Sequence, residues 1–543
     1  MSTAPQIALG PAVSSPAQRG RRPLPPPALL LPALLIAAAV SLPLVYLFIR
    51  TLGAGDEAWD LLFRMRTLQI LGRTALLVFA VTAASIALAL TLAWLTTRTD
   101  LPLCGFWTII MSLPLVIPSY VGALLVIIAL GPHGMLQGAL ENLFGVDRLP
   151  DLYGFPGALL ILTLLSYPYV MLPMRAALSQ MDPSLEEASR SLGMSRWATF
   201  RRVTLPLLRP AIASGGLLVA LYTLSDFGAV SLMRYQTFTW AIYLQYESAF
   251  DRTLAAALSS VLVIVAIAIL LLESRTRGKS RYYKSSAGAA RKSTPVPLGS
   301  WKWPALAFCA IVLALTLALP LSILTYWAVR GIATDQSFPN LWGATANSLK
   351  VSALAALVVV LASLPVAFLS VRFPNRLSSL LERATYIGFG LPGIVIALSL
   401  VFFGAKYATS LYQTLPMLIF AYGILFLPAA VGAARVSLLQ LNPRLEEAGR
   451  SLGKGGLAVM RSITLPLMRP GLLAGAALVF LLTMKELPAT LILSPIGFRT
   501  LATQVWDASS EAFFARAAAS ALILVLVSSI PMAILVLRDY RSR

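Results

Sequence analysis

Asp182-Pro183-Ser184-Leu185-Glu186-Glu187-Ala188-Ser189-Arg190-Ser191-Leu192-Gly193 returns 260 residues later as Asn442-Pro443-Arg444-Leu445-Glu446-Glu447-Ala448-Gly449-Arg450-Ser451-Leu452-Gly453. After nine intervening residues beyond each glycine, Val203-Thr204-Leu205-Pro206 and Ile463-Thr464-Leu465-Pro466 complete the two copies. Asp182 and Asn442 are good N-caps, Pro183 and Pro443 suit the first helical position, and the glutamates fall in the first turn, where the helix dipole favours negative charge. A short helix is therefore predicted in each copy, stopped by Gly193 and Gly453. Leu185, Ala188, Ser189 and Leu192 recur at i, i+3, i+4 and i+7, as do Leu445, Ala448, Gly449 and Leu452, giving one apolar and mostly small face. Such a face suits insertion into another protein's groove, although a helix resting on lipid or on its own protein has the same pattern. Duplication of the detail favours a pair of identical partners.

These loops are polar islands in an oily chain. Hydrophobic residues make up 58% of the sequence and charged residues 12%. Apolar runs long enough to cross a bilayer of ~30 Å fall at 28–49, 67–96, 105–130, 156–178, 209–232 and 252–273, then at 303–328, 342–370, 382–404, 415–437, 469–493 and 514–538. The fold class is all-α polytopic membrane protein with about 12 transmembrane helices, because helices satisfy their own backbone in hydrocarbon.

The net charge of +21 is unevenly placed. Arg19, Arg21 and Arg22 precede the first span, a run from Arg275 to Lys292 follows the sixth, and both repeated loops and the C-terminal tail are Arg-rich. With both termini cytoplasmic, these all lie on one side, which the positive-inside rule explains without a nucleic-acid partner. Arg50, Arg64, Arg66 and Arg73 fall on the opposite side in this scheme. The first apolar run is too long for a cleaved signal and is expected to be retained. Cys104 and Cys309 are isolated, one per half, which argues against a disulfide framework or thiolate cluster. His133, the single histidine, sits in a Gly-Pro-His-Gly turn, and no metal-ligand set is assigned.

Three domains are expected: a first half at 1–273 with its polar loop at 182–206, a basic linker at 274–302, and a second half at 303–543 with its loop at 442–466. Six spans separate the two loops, so both emerge on one face and the repeat is parallel, unlike an inverted transporter repeat.

The pattern Glu-Ala-small, three residues, Gly, nine residues, (Ile/Val)-x-Leu-Pro, carried by Glu187-Ala188-Ser189 to Pro206 and by Glu447-Ala448-Gly449 to Pro466, resembles the EAA loop of ABC-importer permeases. The resemblance implies the type I importer permease fold in a bacterial inner membrane. It also implies a coupling role for Glu186, Glu187, Ala188, Ser189 and Gly193 and for Glu446, Glu447, Ala448, Gly449 and Gly453. Each loop would then dock into one of two copies of a cytoplasmic ABC ATPase, with a periplasmic or extracellular solute-binding protein on the other side. The chain lacks a phosphate-binding loop: Gly278-Lys279-Ser280 has Glu273 where the first glycine is required. No cofactor is expected on this chain; ATP and Mg belong to the ATPase.

Fusion of two six-span halves, with Tyr222-Thr-Leu-Ser-Asp226-Phe-Gly in the first and Met484-Lys-Glu486-Leu-Pro in the second, is similar to iron(III) importer permeases. Permeases for thiamine, 2-aminoethylphosphonate or other small solutes share the layout. Asp226 and Glu486 sit at equivalent places, 260 apart, deep in the fifth span of each half. An ionisable group there marks a pathway or a pair. The alternatives are that Lys485 neutralises Glu486, or that both acids hold backbone freed by breaks at Gly228 and Pro488. A hard cation prefers oxygen ligands, so Tyr167, Tyr169 and Tyr222 join Asp226 and Glu486 as pathway candidates. A secondary transporter would need no duplicated docking loop, and a membrane enzyme would need a constellation of reactive groups that the sequence does not show.

Overall fold

The computed structural model describes residues 25–53, 60, 63–131, 134–144, 152–248, 253–276 and 295–541. Arg19, Arg21, Arg22, His133 and most of the basic linker (277–294) lie outside the described residues. The described residues are almost entirely helical, and eleven helices are long and apolar enough to cross a membrane.

Two expected spans are broken. The run at 105–130 forms Cys104–Ile110, a 3-10 turn Leu113–Val116 and Ser119–Leu130; the run at 382–404 divides between Arg376–Tyr386, a 3-10 turn Ile387–Gly390 and Gly393–Tyr407. Pro118 and Pro392 stand at the second break in each. The residues before them, Ile117 and Leu391, are extended, as the clash with a following proline ring requires. The spans expected at 209–232 and 469–493 also end early, at Ser225 and Met484, before resuming as the short helices Gly228–Leu232 and Pro488–Leu493.

In the first half Met65–Arg98, Phe155–Gln180 and Leu205–Ser225 pack on one another, and in the second Leu341–Arg372, Leu415–Gln440 and Leu465–Met484 do the same. Small residues allow the close approach: a Cβ on Gly215 would come within 2.6 Å of the Val170 backbone. The halves are interlaced around these trios. Pro27–Leu52 packs along Leu341–Arg372, Arg376–Tyr386 and Gly393–Tyr407 of the other half. Its last turn is fixed there by the Arg50 guanidinium, 4.0 Å above the Phe402 ring. Leu319–Ala333 reciprocally touches Ser119–Leu130. Arg73, another of the basic residues that the positive-inside scheme does not explain, donates to the Gln236 side chain at 3.0 Å.

The register between the halves changes within the chain. Arg98 matches Arg372 and Pro118 matches Pro392, both 274 apart, whereas the pairs from Phe155 and Leu415 to Gly228 and Pro488 lie 260 apart. The first half carries the 14 additional residues between Pro118 and Phe155.

Candidate functional site

The two polar loops fold alike. Asp182 Oδ1 accepts from the Ser184 amide at 3.0 Å and Asn442 Oδ1 from Arg444 at 3.1 Å, opening the helices Pro183–Ser191 and Pro443–Ser451. The same bond holds the Asp182 carboxyl below its ordinary range. Each helix closes with a glycine at φ +82°, and the Met194 and Lys454 amides reach back to the Ser189 and Gly449 carbonyls. This is the glycine-dependent Schellman closure. A wide π turn, Phe200–Thr204 or Met460–Thr464, then leads into the next span.

The inner side of each loop helix is tied to its own half. Thr204 Oγ1 donates to Glu186 Oε1 at 2.9 Å and Thr464 Oγ1 to Glu446 Oε1 at 3.1 Å. An arginine at the end of an earlier span faces the same glutamate: Arg372 Nη2 lies 3.0 Å from Glu446 and Arg98 Nη2 lies 3.7 Å from Glu186. Sequence reasoning missed both arginines; the signal was a basic residue ending the second span of each half, hidden by the change of register.

The apolar face predicted from helical spacing is divided. Ser189 and Gly449 turn inward, where Ser189 meets Thr199 at 3.0 Å and a Cβ on Gly449 would meet Ile463 at 2.6 Å. Their small size is therefore required by the protein's own hairpin. Leu185, Ala188 and Leu192, with Leu445, Ala448 and Leu452, form the exposed ridge; Leu192 and Leu452 are 84% and 82% exposed. Glu187, Glu447, Gly193 and Gly453 are exposed as well.

Between the halves lies a cavity of about 930 Å³, and Asp226 and Glu486 both line it, together with Tyr169 and Tyr222. The two tyrosine rings are 5.6 Å apart. Tyr167 is not brought to this cavity: it is fully buried, and its hydroxyl donates to the Met111 carbonyl at 2.8 Å. Asp226 accepts from the Ala229 and Val230 amides at 3.0 and 3.3 Å, and Glu486 accepts from Ala489 and Thr490 at 3.0 and 3.2 Å. Each acid thus satisfies the free amides that open the short helix after its break, while standing in the wall of the cavity. Lys485 does not take the alternative role of partner to Glu486; its ammonium donates across the interface to the Leu115 carbonyl at 3.0 Å. Arg175 and Lys485 also line the cavity, so two cations accompany the two acids. Among the described residues no group of three or more His, Cys, Asp or Glu is placed to hold a metal ion.

Residues 84–277 and 359–541 each match the family model described as binding-protein-dependent transport system inner membrane component. The chain is 38% identical to the Fe(3+)-transport system permease protein FbpB 2 of Haemophilus influenzae over 94% of its own length and 98% of that protein's. It is 26% identical to the ferric transport system permease protein FbpB of Actinobacillus pleuropneumoniae, over 79% of this chain and 64% of the relative. A shorter match of 34% identity, over 25% of this chain and 58% of the relative, is to the molybdenum transport system permease protein ModB of Escherichia coli. With the family pattern present in both halves, this chain belongs to the inner membrane components of binding-protein-dependent transport systems.

Proposed function

We propose that this chain is the permease subunit of an ATP-driven importer that passes ferric iron from a solute-binding protein into the cytoplasm. The observation that carries the reading is the paired loop helix, anchored on its inner side to Glu186 or Glu446 and presenting an apolar ridge outward. A ridge of Leu185, Ala188 and Leu192 exposed among charges is an incomplete interface, and two copies fit two ATPase subunits. ATP and Mg are assigned to those subunits. In this reading both termini and both loops lie on the cytoplasmic side.

The substrate reading is supported by the long similarity to permeases whose names specify Fe(3+) or ferric transport. In this reading Asp226, Glu486, Tyr169 and Tyr222 contribute hard oxygen groups to the passage. Arg175 and Lys485 balance the two acids in formal charge. That balance fits iron travelling with anionic ligands better than a bare trivalent ion.

The test is uptake of radiolabelled ferric iron by vesicles containing the permease with its cognate ATPase and binding protein. Leu192→Asp with Leu452→Asp, which charges the ridge without touching the inner anchors, is expected to abolish ATPase co-purification and uptake while leaving membrane insertion intact. Normal co-purification of the double variant would refute the coupling assignment. Transport of molybdate or another solute in place of iron would refute the substrate assignment alone.

A further inference from the structure

A second cavity, of about 680 Å³, lies beside the first loop helix, and its far wall is the segment Pro295–Pro297. That segment is held in place by the end of the second span. The Val296 amide donates to the Arg98 carbonyl at 2.8 Å and the Leu298 amide to Asp100 Oδ1 at 2.8 Å, which keeps the Asp100 carboxyl below its usual range. The cavity floor is polar and its upper wall is not. Arg98 is 2% exposed, and none of its three side-chain nitrogens makes a hydrogen bond. Its nearest acid, Glu186, stands 3.7 Å away and already accepts from Thr204. Arg190 and Arg196 line the cavity with Glu187, so three arginines face two glutamates.

Above this floor Trp94 meets Phe200 edge-on at 5.1 Å, and Phe200 stacks on Trp197 at 5.6 Å. Leu90 continues the wall, about 12 Å along the span from Arg98 at ~1.5 Å per residue. An aromatic ladder joining an apolar span to a basic floor has the polarity of a bilayer interface. The second half is built differently at the matching positions. There Arg372 has its glutamate at 3.0 Å, and Gly456, Leu457 and Met460 replace Arg196, Trp197 and Phe200.

We propose that this cavity binds an anionic phospholipid, with its phosphate diester over Arg98, Arg190 and Arg196 and an acyl chain along Trp94 and Leu90. A basic pocket at the end of a span is suited to such a headgroup. A soluble phosphate would use the floor and leave the apolar wall empty. The lipid would touch the first loop helix and not the second, making the two loops unequal in their dependence on the membrane.

Native mass spectrometry of the full-length permease, stripped of lipid in detergent and titrated with phosphatidylglycerol, phosphatidylcholine or inorganic phosphate, tests this directly. Phosphatidylglycerol is expected to be retained about tenfold more tightly than phosphatidylcholine, and Arg98→Gln to reduce that retention by about tenfold. Arg196→Gly combined with Trp197→Leu installs residues with which the second loop already folds, and is expected to lower retention even if Arg98→Gln fails to fold. Equal retention of the two lipids, or unchanged retention in the double variant, would overturn the proposal. Displacement of phosphatidylglycerol by millimolar inorganic phosphate would overturn it in favour of a soluble anion.

Discussion

Arg372 donates to Glu446 at 3.0 Å, joining the polar-loop helix of the second half to the end of a span that precedes it by 74 residues. Both side chains are 15% exposed, so the charges are largely withdrawn from water. Glu446→Gln preserves an acceptor for Thr464 but removes the charge facing Arg372. The expected loss is about 1–3 kcal/mol, measured by thermal unfolding in detergent. A double-mutant cycle with Arg372→Gln should return a favourable coupling. The same change at Glu186 should cost less, because Arg98 stands farther away. Zero coupling for Arg372 and Glu446 would show that the pair contributes nothing.

Gly193 and Gly453 adopt φ +82° with open space where a side chain would go, so a substitution there acts through the backbone alone. Alanine is expected to cost about 1–2 kcal/mol at each site, and asparagine, which tolerates the left-handed region, markedly less. Transport by the alanine double variant should fall while its asparagine counterpart transports close to normally. Equal activity of the two would separate the turn from coupling.

Asp226→Asn and Glu486→Gln retain an oxygen acceptor for the amides that follow each break while removing charge. Assembly with the ATPase is expected to survive and iron uptake to fall severely. Asp226→Ala with Glu486→Ala, which abandons the amides as well, should also reduce thermal stability. Wild-type uptake in the isosteric double variant would leave the acids with a structural role only.

In a cysteine-free background, cysteines placed at the exposed positions Ser195 and Gly455 should react with an impermeant maleimide only from the cytoplasmic side. One at Gln336, exposed beyond Ala333, should react only from outside. Labelling of Ser195 and Gly455 from opposite faces would overturn the parallel arrangement.

The membrane class, the duplicated loops and their caps were readable because they rest on local chemistry: apolar runs, an N-cap followed by proline, and a glycine stop. The breaks at Pro118 and Pro392 were less visible because the surrounding residues are apolar enough to read as continuous spans. The roles of Arg98 and Arg372 depend on a register of 274 that an alignment fixed at 260 conceals. The inward turn of Ser189 and Gly449 could not follow from helical spacing, which groups residues by face without saying which part of the face meets the protein. Tyr167 illustrates the same limit, since it stands two positions from Tyr169 on the helix and so about 200° away in direction.

The crossing of Pro27–Leu52 into the second half also sets an order of events in time. The surface it packs against in the second half begins at Leu341 and continues to Tyr407, nearly 300 residues downstream. At a synthesis rate of about 5–20 residues per second, the ribosome needs roughly 15 to 60 seconds to deliver that partner. During this interval the first helix is already made and is solvated by lipid on the face it will later bury. Assembly of the permease therefore ends by engaging its earliest helix, and a chain truncated before Leu341 would leave that helix without its second-half contacts.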